Sequence, residues 1–443
     1  MNCASAAGRL SERELLARLV AFDSTSRLSN APLADFIADY AGAAGAHVWR
    51  SATADGRKVN LVLRRGPRRD DATRGVQDVA GASDARGASE STGAGLTEPP
   101  RLALQRGLDT RSAAAIVAAG PGLVLSGHLD TVPADESDWS SDPFTLTERD
   151  GRLFGRGTVD MKGFVALALD RFTALRDGDL RHPLVLILTH DEELGGLGAQ
   201  RLVETWDEAF PLPRAAIIGE PTRLQLVRMH KGHLKLRIDV RGRPAHSGLP
   251  HLGENAIERA TLVLAALSRL AAEWRDVRVE TSVHFPECPF PVLNLARVEG
   301  GGALNVVPAS CRIELGIRLL PGQSSQEAIG CVEQTLRVLP SDVHTATTLT
   351  LINDNPPLLC DPRAPVNIEL SRMLRQCATV GVSFASDGGW LQQLGLDAVL
   401  CGPGDIAQAH QANESITLQQ LHEGRRLLEQ IIRRFCCEND DAP

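Results

Sequence analysis

Residues 123–133 read LVLSGHLDTVP, and the fold of the whole chain turns on how this stretch is understood. The apolar run Leu123, Val124, Leu125 stops at Ser126-Gly127, and His128 and Asp130 follow at once. A short β-prone run ended by glycine and polar residues reads as a buried strand with its C-terminal tip at His128. Open α/β sheets bind their ligands at that edge. His128 and Asp130 are two apart, so on an extended backbone they point the same way. A neutral imidazole is a good ligand for zinc or cobalt, and a ligating histidine leans on a carboxylate or carbonyl that fixes its tautomer. His128 is therefore a candidate ligand and Asp130 its candidate orienter. Alone the pair is weak, because a histidine after a strand is more often a surface or satisfied residue. Other segments must supply the remaining ligands.

They do so at the ends of other apolar runs. Residues 151–163 read GRLFGRGTVDMKG, glycine-rich loop followed by a predicted helix over 163–175. Asp160 stands just before that helix, where a carboxylate can bridge two cations or cap the helix; the two roles are compatible. The strand predicted over 184–189 ends in His190-Asp191-Glu192-Glu193. Adjacent carboxylates there are costly if buried unpaired, and a divalent cation removes the cost; the bland alternative is a solvated acidic turn. A third strand, 215–218, runs into Gly219-Glu220-Pro221-Thr222, and a fourth, 398–401, into Gly402-Pro403-Gly404 with His410 beyond. Together His128, Asp160, Glu193, Glu220 and His410 form a ligand set suited to a pair of zinc or cobalt ions. Glu192 is left over as a general base.

Composition narrows the alternatives. The 443 residues suffice for two or three domains. A net charge of −8 and 4% aromatic residues argue against a nucleic-acid or anionic-membrane surface. Nine cysteines are scattered with no CxxC pair, which reads as reduced, mostly buried thiols of a cytoplasmic protein. The first residues lack a secretory pattern, and no apolar run is long enough to span a membrane. Helices are predicted over 10–20, with Ser11 and Glu14 as a capping box, and over 30–44. Strands are predicted over 47–50 and 59–64, with a short one near 115–119. Residues 65–111 are rich in Gly, Ala, Ser, Asp and Arg without a period, and read as a flexible surface insertion.

SGHLDTVP, GRGTVDMKG, DEELGGLGA, GEPT and GPGDIAQAHQANE, in this order, resemble the motifs of the M20 family of metallopeptidases and deacetylases. The likeness runs over most of the chain. It implies a mixed-sheet α/β catalytic domain (1–230 and 353–443) of the zinc-exopeptidase kind, into which a ferredoxin-like lid and dimerisation domain (231–352) is inserted. By the resemblance His128 and Glu220 hold one metal, Glu193 and His410 the second, and Asp160 bridges them through a loop with a non-proline cis peptide. Asp130 orients His128, and Glu192 is the acid/base. The middle of the chain agrees, since its predicted strands (231–241, 292–298, 311–319, 345–351) and helices (254–271, 324–338) follow a β-α-β-β-α-β order.

The resemblance further implies a homodimer in which His246 reaches a neighbouring subunit's site to stabilise an oxyanion. Asn305 and Arg318 match substrate-contacting positions, although Gly316 replaces the aspartate of the usual Asp-x-Arg pattern. A guanidinium suits a substrate carboxylate. Asp387 in SDGG meets a substrate ammonium or merely shapes a turn. VAFDSTSRLSN, HKGHLKLRI and PVLNLARVEGG look most like the acetylornithine deacetylases. That implies hydrolysis of N2-acetyl-L-ornithine in arginine biosynthesis, with two divalent ions. The alternatives within the family are succinyl-diaminopimelate desuccinylase, N-acetylcitrulline deacetylase and glutamate carboxypeptidase; outside catalysis, a silent metal-binding scaffold.

Overall fold

The computed structural model describes residues 9–67, 118, 120–206 and 211–438. Most of the expected 65–111 insertion lies outside the described residues, as does the expected strand near 115–119 apart from Ala118, which bridges to Leu212. No helix among the described residues is long and apolar enough to cross a membrane.

A six-stranded mixed sheet forms the larger unit. Its order is His47–Ala52, Val59–Arg65, Leu184–Thr189, Leu123–His128, Ala215–Pro221 and Asp397–Gly402. The last four are mutually parallel, and Val59–Arg65 runs against both of its neighbours. Strands Val59–Arg65, Leu123–His128, Leu184–Thr189 and Ala215–Pro221 are buried along their whole length. This is why they read as continuous apolar runs: helices cover both faces. Alternate side chains feed separate cores. Leu123, Leu125, Leu184, Leu186 and Leu188 pack with helices Glu12–Val20, Lys162–Ala174 and Leu418–Ile432. Val124, Val185 and Ile187 pack with Leu202 and Leu391 on the opposite face. Packing is tight at Gly219, where an added Cβ would sit 1.9 Å from the Phe164 ring. The Ser11 and Glu14 capping box forms as read, with Ser11 N–H donating to Glu14 Oε2 at 2.8 Å.

The chain leaves strand Leu123–His128, returns through helix Lys162–Ala174 on one side of it, then passes through helix Leu197–Glu204 to Ala215–Pro221 on the other. Leu123–His128 is thus the point where the winding reverses, and a crevice opens at its carboxyl end.

A second sheet is built from Val292–Gly300, Ser310–Leu319, Gly232–Arg241 and Thr347–Asn355, in that spatial order and antiparallel throughout. Helices Ala256–Trp274 and Ser325–Arg337 complete the expected β-α-β-β-α-β connectivity. Burial alternates strictly along Gly232–Arg241. Leu234, Leu236, Ile238 and Val240 meet Val263, Leu267, Trp274 and Val332 in one core, while His233, Lys235, Arg237 and Asp239 are half-buried on the other face. The fourth strand begins at Thr347, not 345, because a short helix, Ser341–Ala346, occupies its expected start. This sheet meets the larger unit where Asn353 Nδ2 donates to the Gly195 carbonyl at 3.0 Å.

Candidate metal centre

His128 is the last residue of the central strand and is buried. Its Nδ1 lies 2.9 Å from the Asp130 backbone carbonyl. A carbonyl only accepts, so Nδ1 carries the proton and Nε2 is left as the ligating atom. Asp130 meets the ring through its backbone carbonyl, while its carboxylate stands 3.6 Å from Nδ1. That carboxylate instead accepts the backbone N–H groups of Glu192 and Glu193, at 3.1 and 3.2 Å, and the Ser26 hydroxyl at 2.7 Å. It holds the turn that carries both glutamates.

Asp160 precedes helix Lys162–Ala174, whose N-cap is Met161, and its carboxylate faces histidines instead of capping the helix. Oδ1 lies 3.0 Å from His128 Nε2, and Oδ2 lies 3.3 Å from His410 Nε2. The Asp160–Met161 peptide is cis. The loop that presents Asp160 is held by a residue the sequence reading passed over. Buried Glu414 accepts N–H groups from Gly157 at 2.9 Å, Val159 at 2.9 Å and Asp160 at 3.1 Å. The same carboxylate pairs with buried Arg156 at 3.0 Å. Arg156 reaches on to the Pro133 carbonyl at 2.8 Å and the Gln411 carbonyl at 3.2 Å, joining this loop to the segments after His128 and His410. The available signal was position: Glu414 ends the same polar run that contains His410.

Glu220 lies within the strand Ala215–Pro221 and is 4% exposed. Glu193 Oε1 lies 3.0 Å from His410 Nε2. Two ligand groups result, His128 with Asp160 and Glu220, and Asp160 with Glu193 and His410. Within each, the ligand atoms lie within 4.8 Å of one another.

The charges of the cluster fit divalent cations. Burial, reinforced by the Glu220 charge, pushes Glu192 well above the usual carboxylate range. Burial and the Asp160 charge do the same to Glu220 and raise Glu193. His410 is pushed up to about 10 by its hydrogen bonds to Asp160 and Glu193. Burial works against a charged His128, yet the Asp160 hydrogen bond and charge outweigh it and raise its pKa. Burial likewise opposes ionised Asp160, and the two histidines overcome it. Crowded carboxylates here demand positive charge, which protons on the imidazoles supply. Cations in the two ligand groups would replace those protons and leave both imidazoles as neutral donors. Nitrogen and carboxylate donors without a thiolate suit zinc, cobalt or manganese.

A profile of the peptidase family M20/M25/M40 matches residues 124–434, most of the chain. The chain belongs to that family. Its fold is similar to that of an M20 family metallo-carboxypeptidase from Sulfolobus solfataricus, with a TM-score of 0.68, 16% identity and coverage of 96% of this chain and 99% of that one. Human carnosine dipeptidase 1 matches with a TM-score of 0.62 at 18% identity, covering 95% and 96%. The YXEP protein of Bacillus subtilis, described as a dinuclear metal binding peptidase from the M20 family, matches with a TM-score of 0.57 at 12% identity, covering 95% and 97%. At these identities the likeness is one of fold.

The other residues expected at the site of this M20 member divide. Arg318 lies on the second sheet, where the Glu192 charge reaches it. Asp387 is buried and accepts the Thr189 hydroxyl at 2.5 Å, with its other oxygen unpartnered among the described residues. His246 and Asn305 are not brought to the metal centre within one chain. They are exposed and adjoin each other, with Ser247 N–H donating to the Asn305 carbonyl at 3.0 Å. They lie past the far end of strand Gly232–Arg241, roughly 30 Å along it from Gly232.

Proposed function

We propose that this M20 member is a dinuclear-metal amidohydrolase that cleaves the amide bond of a small N-acyl amino acid. The observation that carries this reading is the pair of three-residue ligand groups sharing Asp160, with a further half-buried carboxylate, Glu192, beside them. His128, Asp160 and Glu220 would hold one cation, and Asp160, Glu193 and His410 the other. When bound, such a pair supplies Lewis acidity toward a carbonyl oxygen and lowers the pKa of water.

The chain's own groups do the rest. Asp130 grips the backbone of Glu192 and Glu193 and so fixes where both carboxylates stand. Glu192, with its pKa raised by burial, is suited to take a proton from the attacking water and return it to the leaving amine. Arg318, on the second sheet within reach of the Glu192 charge, would receive a substrate carboxylate. His246 serves the partner subunit of a homodimer, donating a hydrogen bond to the developing oxyanion; its place outside its own chain's centre favours that arrangement.

Among substrates, the motifs shared with acetylornithine deacetylases favour N2-acetyl-L-ornithine, zinc or cobalt as the metal, and a cytoplasmic setting in arginine biosynthesis. A second reading, cleavage of a short peptide, is favoured by the named activities of the carboxypeptidase and dipeptidase of similar fold. The test is hydrolysis of acetyl-ornithine, acetyl-citrulline, succinyl-diaminopimelate and dipeptides by protein reloaded with zinc or cobalt, wild type beside Glu192→Ala. The variant should bind metal as wild type does and lose on the order of 100- to 10,000-fold in turnover. Full activity in Glu192→Ala would refute its role as base. Metal binding without turnover of any compound would point to the scaffold.

A further inference from the structure

The second sheet turns an unusual face toward the metal centre. Strand register places Val292, Arg318, His233 and Asn355 side by side in one row. The next row on the same face is Asn294, Gly316, Lys235 and Asn353. Directly opposed residues share a face and approach within side-chain reach. The two rows therefore hold cations, an imidazole and amides, but no carboxylate. The first carboxylate on this face, Glu314, lies one row further out, opposite Arg237, where Arg297 approaches it at 3.9 Å.

These rows lie at the junction with the catalytic unit. Asn353 is bonded to Gly195, and Lys235 Nζ lies 3.4 Å from the Leu194 carbonyl. Among the described residues the Arg318 side chain has neither a hydrogen bond nor an ion pair. Glu192 is the carboxylate whose charge reaches both Arg318 and Lys235. Gly316 is central to this arrangement. An added Cβ there would lie 3.1 Å from His233 Nε2, so the imidazole lies over the glycine. Burial and then the two neighbouring cations push His233 down to about 3, so it adds hydrogen-bonding capacity without charge. Two half-buried cations thus face the cleft with one shared counter-charge.

We infer that Arg318 and Lys235 form a two-carboxylate recognition site, so that the substrate is an N-acylated amino acid bearing a second carboxylate. Arg318 takes one carboxylate and Lys235 the other. Gly316 keeps the site positive by placing no acid between them. This deepens the hydrolase reading and rests on it; it also moves the preferred substrate away from acetylornithine, whose side-chain cation would meet Lys235.

The test compares N-acetyl-L-glutamate with its neutral isostere N-acetyl-L-glutamine and with N-acetyl-L-ornithine on metal-loaded protein. Wild type should prefer the glutamate over the glutamine by on the order of tenfold or more in kcat/KM, with the ornithine poorest. Lys235→Met and Gly316→Asp should each collapse the glutamate-to-glutamine ratio, whereas Lys235→Arg and Gly316→Ala should keep it. Equal or better use of the glutamine or ornithine compound, or an unchanged ratio in Lys235→Met, would overturn the inference. If none of the three is cleaved, calorimetry on metal-stripped protein decides the anion site separately from the hydrolase reading, which fails only when no compound of the wider panel turns over. Glutarate should then bind more tightly than its monoamide in wild type and not in Lys235→Met; equal binding of the two would overturn the site.

Discussion

Replacing Glu414 by glutamine changes one atom of the carboxylate and tests whether this residue sets the metal centre from behind. Oε1 of Glu414 accepts from the N–H groups of Val159 and Asp160, and Oε2 from Gly157 N–H and Arg156. An amide keeps one oxygen, so whichever way it turns, two of these four donors face an NH2 group. Each buried donor left unpaired costs about 1–3 kcal/mol, or about 2–6 kcal/mol for the pair. If the loss is met by global unfolding, it appears as a lower denaturant midpoint. If the loop 157–160 yields instead, Asp160 loses its fixed position, and metal affinity should fall on the order of 10- to 100-fold, as for other residues that hold ligands in place. The assay is calorimetric titration of zinc or cobalt into metal-stripped Glu414→Gln, beside its urea denaturation curve. The visible spectrum of the cobalt form reports the ligand geometry directly. Wild-type affinity, spectrum and stability together in Glu414→Gln would refute the argument, because no buried donor would then have been orphaned.

Two further outcomes follow from the geometry. If His246 completes the partner's site, mixing inactive His246→Ala with inactive Glu192→Ala should regenerate one intact site in each mixed dimer. Random reassociation should return about a quarter of wild-type activity; no recovery on mixing would remove His246 from the reaction. His230 is buried with a pKa pushed down to about 4 by burial, from an ordinary 6.5. Its neutral form is the folded one, so stability present above pH 6.5 is lost as pH falls toward 4. The loss amounts to at most about 3 kcal/mol. Urea denaturation of metal-stripped His230→Leu should therefore show a shallower acid decline than wild type, and parallel declines would contradict it.

What could be read from the chain alone were features that local sequence encodes. Leu123–His128 and Leu184–Thr189 are strands covered on both faces, so their apolar runs and polar stops mark the sheet and its ligand-bearing edge. The same logic singled out Asp160, Glu193, Glu220 and His410, each beside such an end or a glycine-rich turn, and the fold gathers them in two groups with His128. Glu414 escaped because its partners, Gly157 to Asp160, lie more than two hundred positions away and are mostly backbone N–H groups, which have no residue signature. The division of labour in Asp130, carbonyl to the imidazole and carboxylate to the next turn, is likewise a matter of three-dimensional closure. The donor rows around Arg318 come from cross-strand register, which pairs residues from four separated segments. His246 and Asn305 could not be placed in a centre by one chain's geometry when their proposed role belongs to a second copy.

The two ligand groups differ in how far they stand from solvent. The His128 ring is 1% exposed, whereas the His410 side chain is 49% exposed. An ion held by the first is shut behind the strand tips, while one held by the second sits at the mouth of the crevice. An outer ion would therefore exchange with solvent faster than an inner one, because His410 stands open to water.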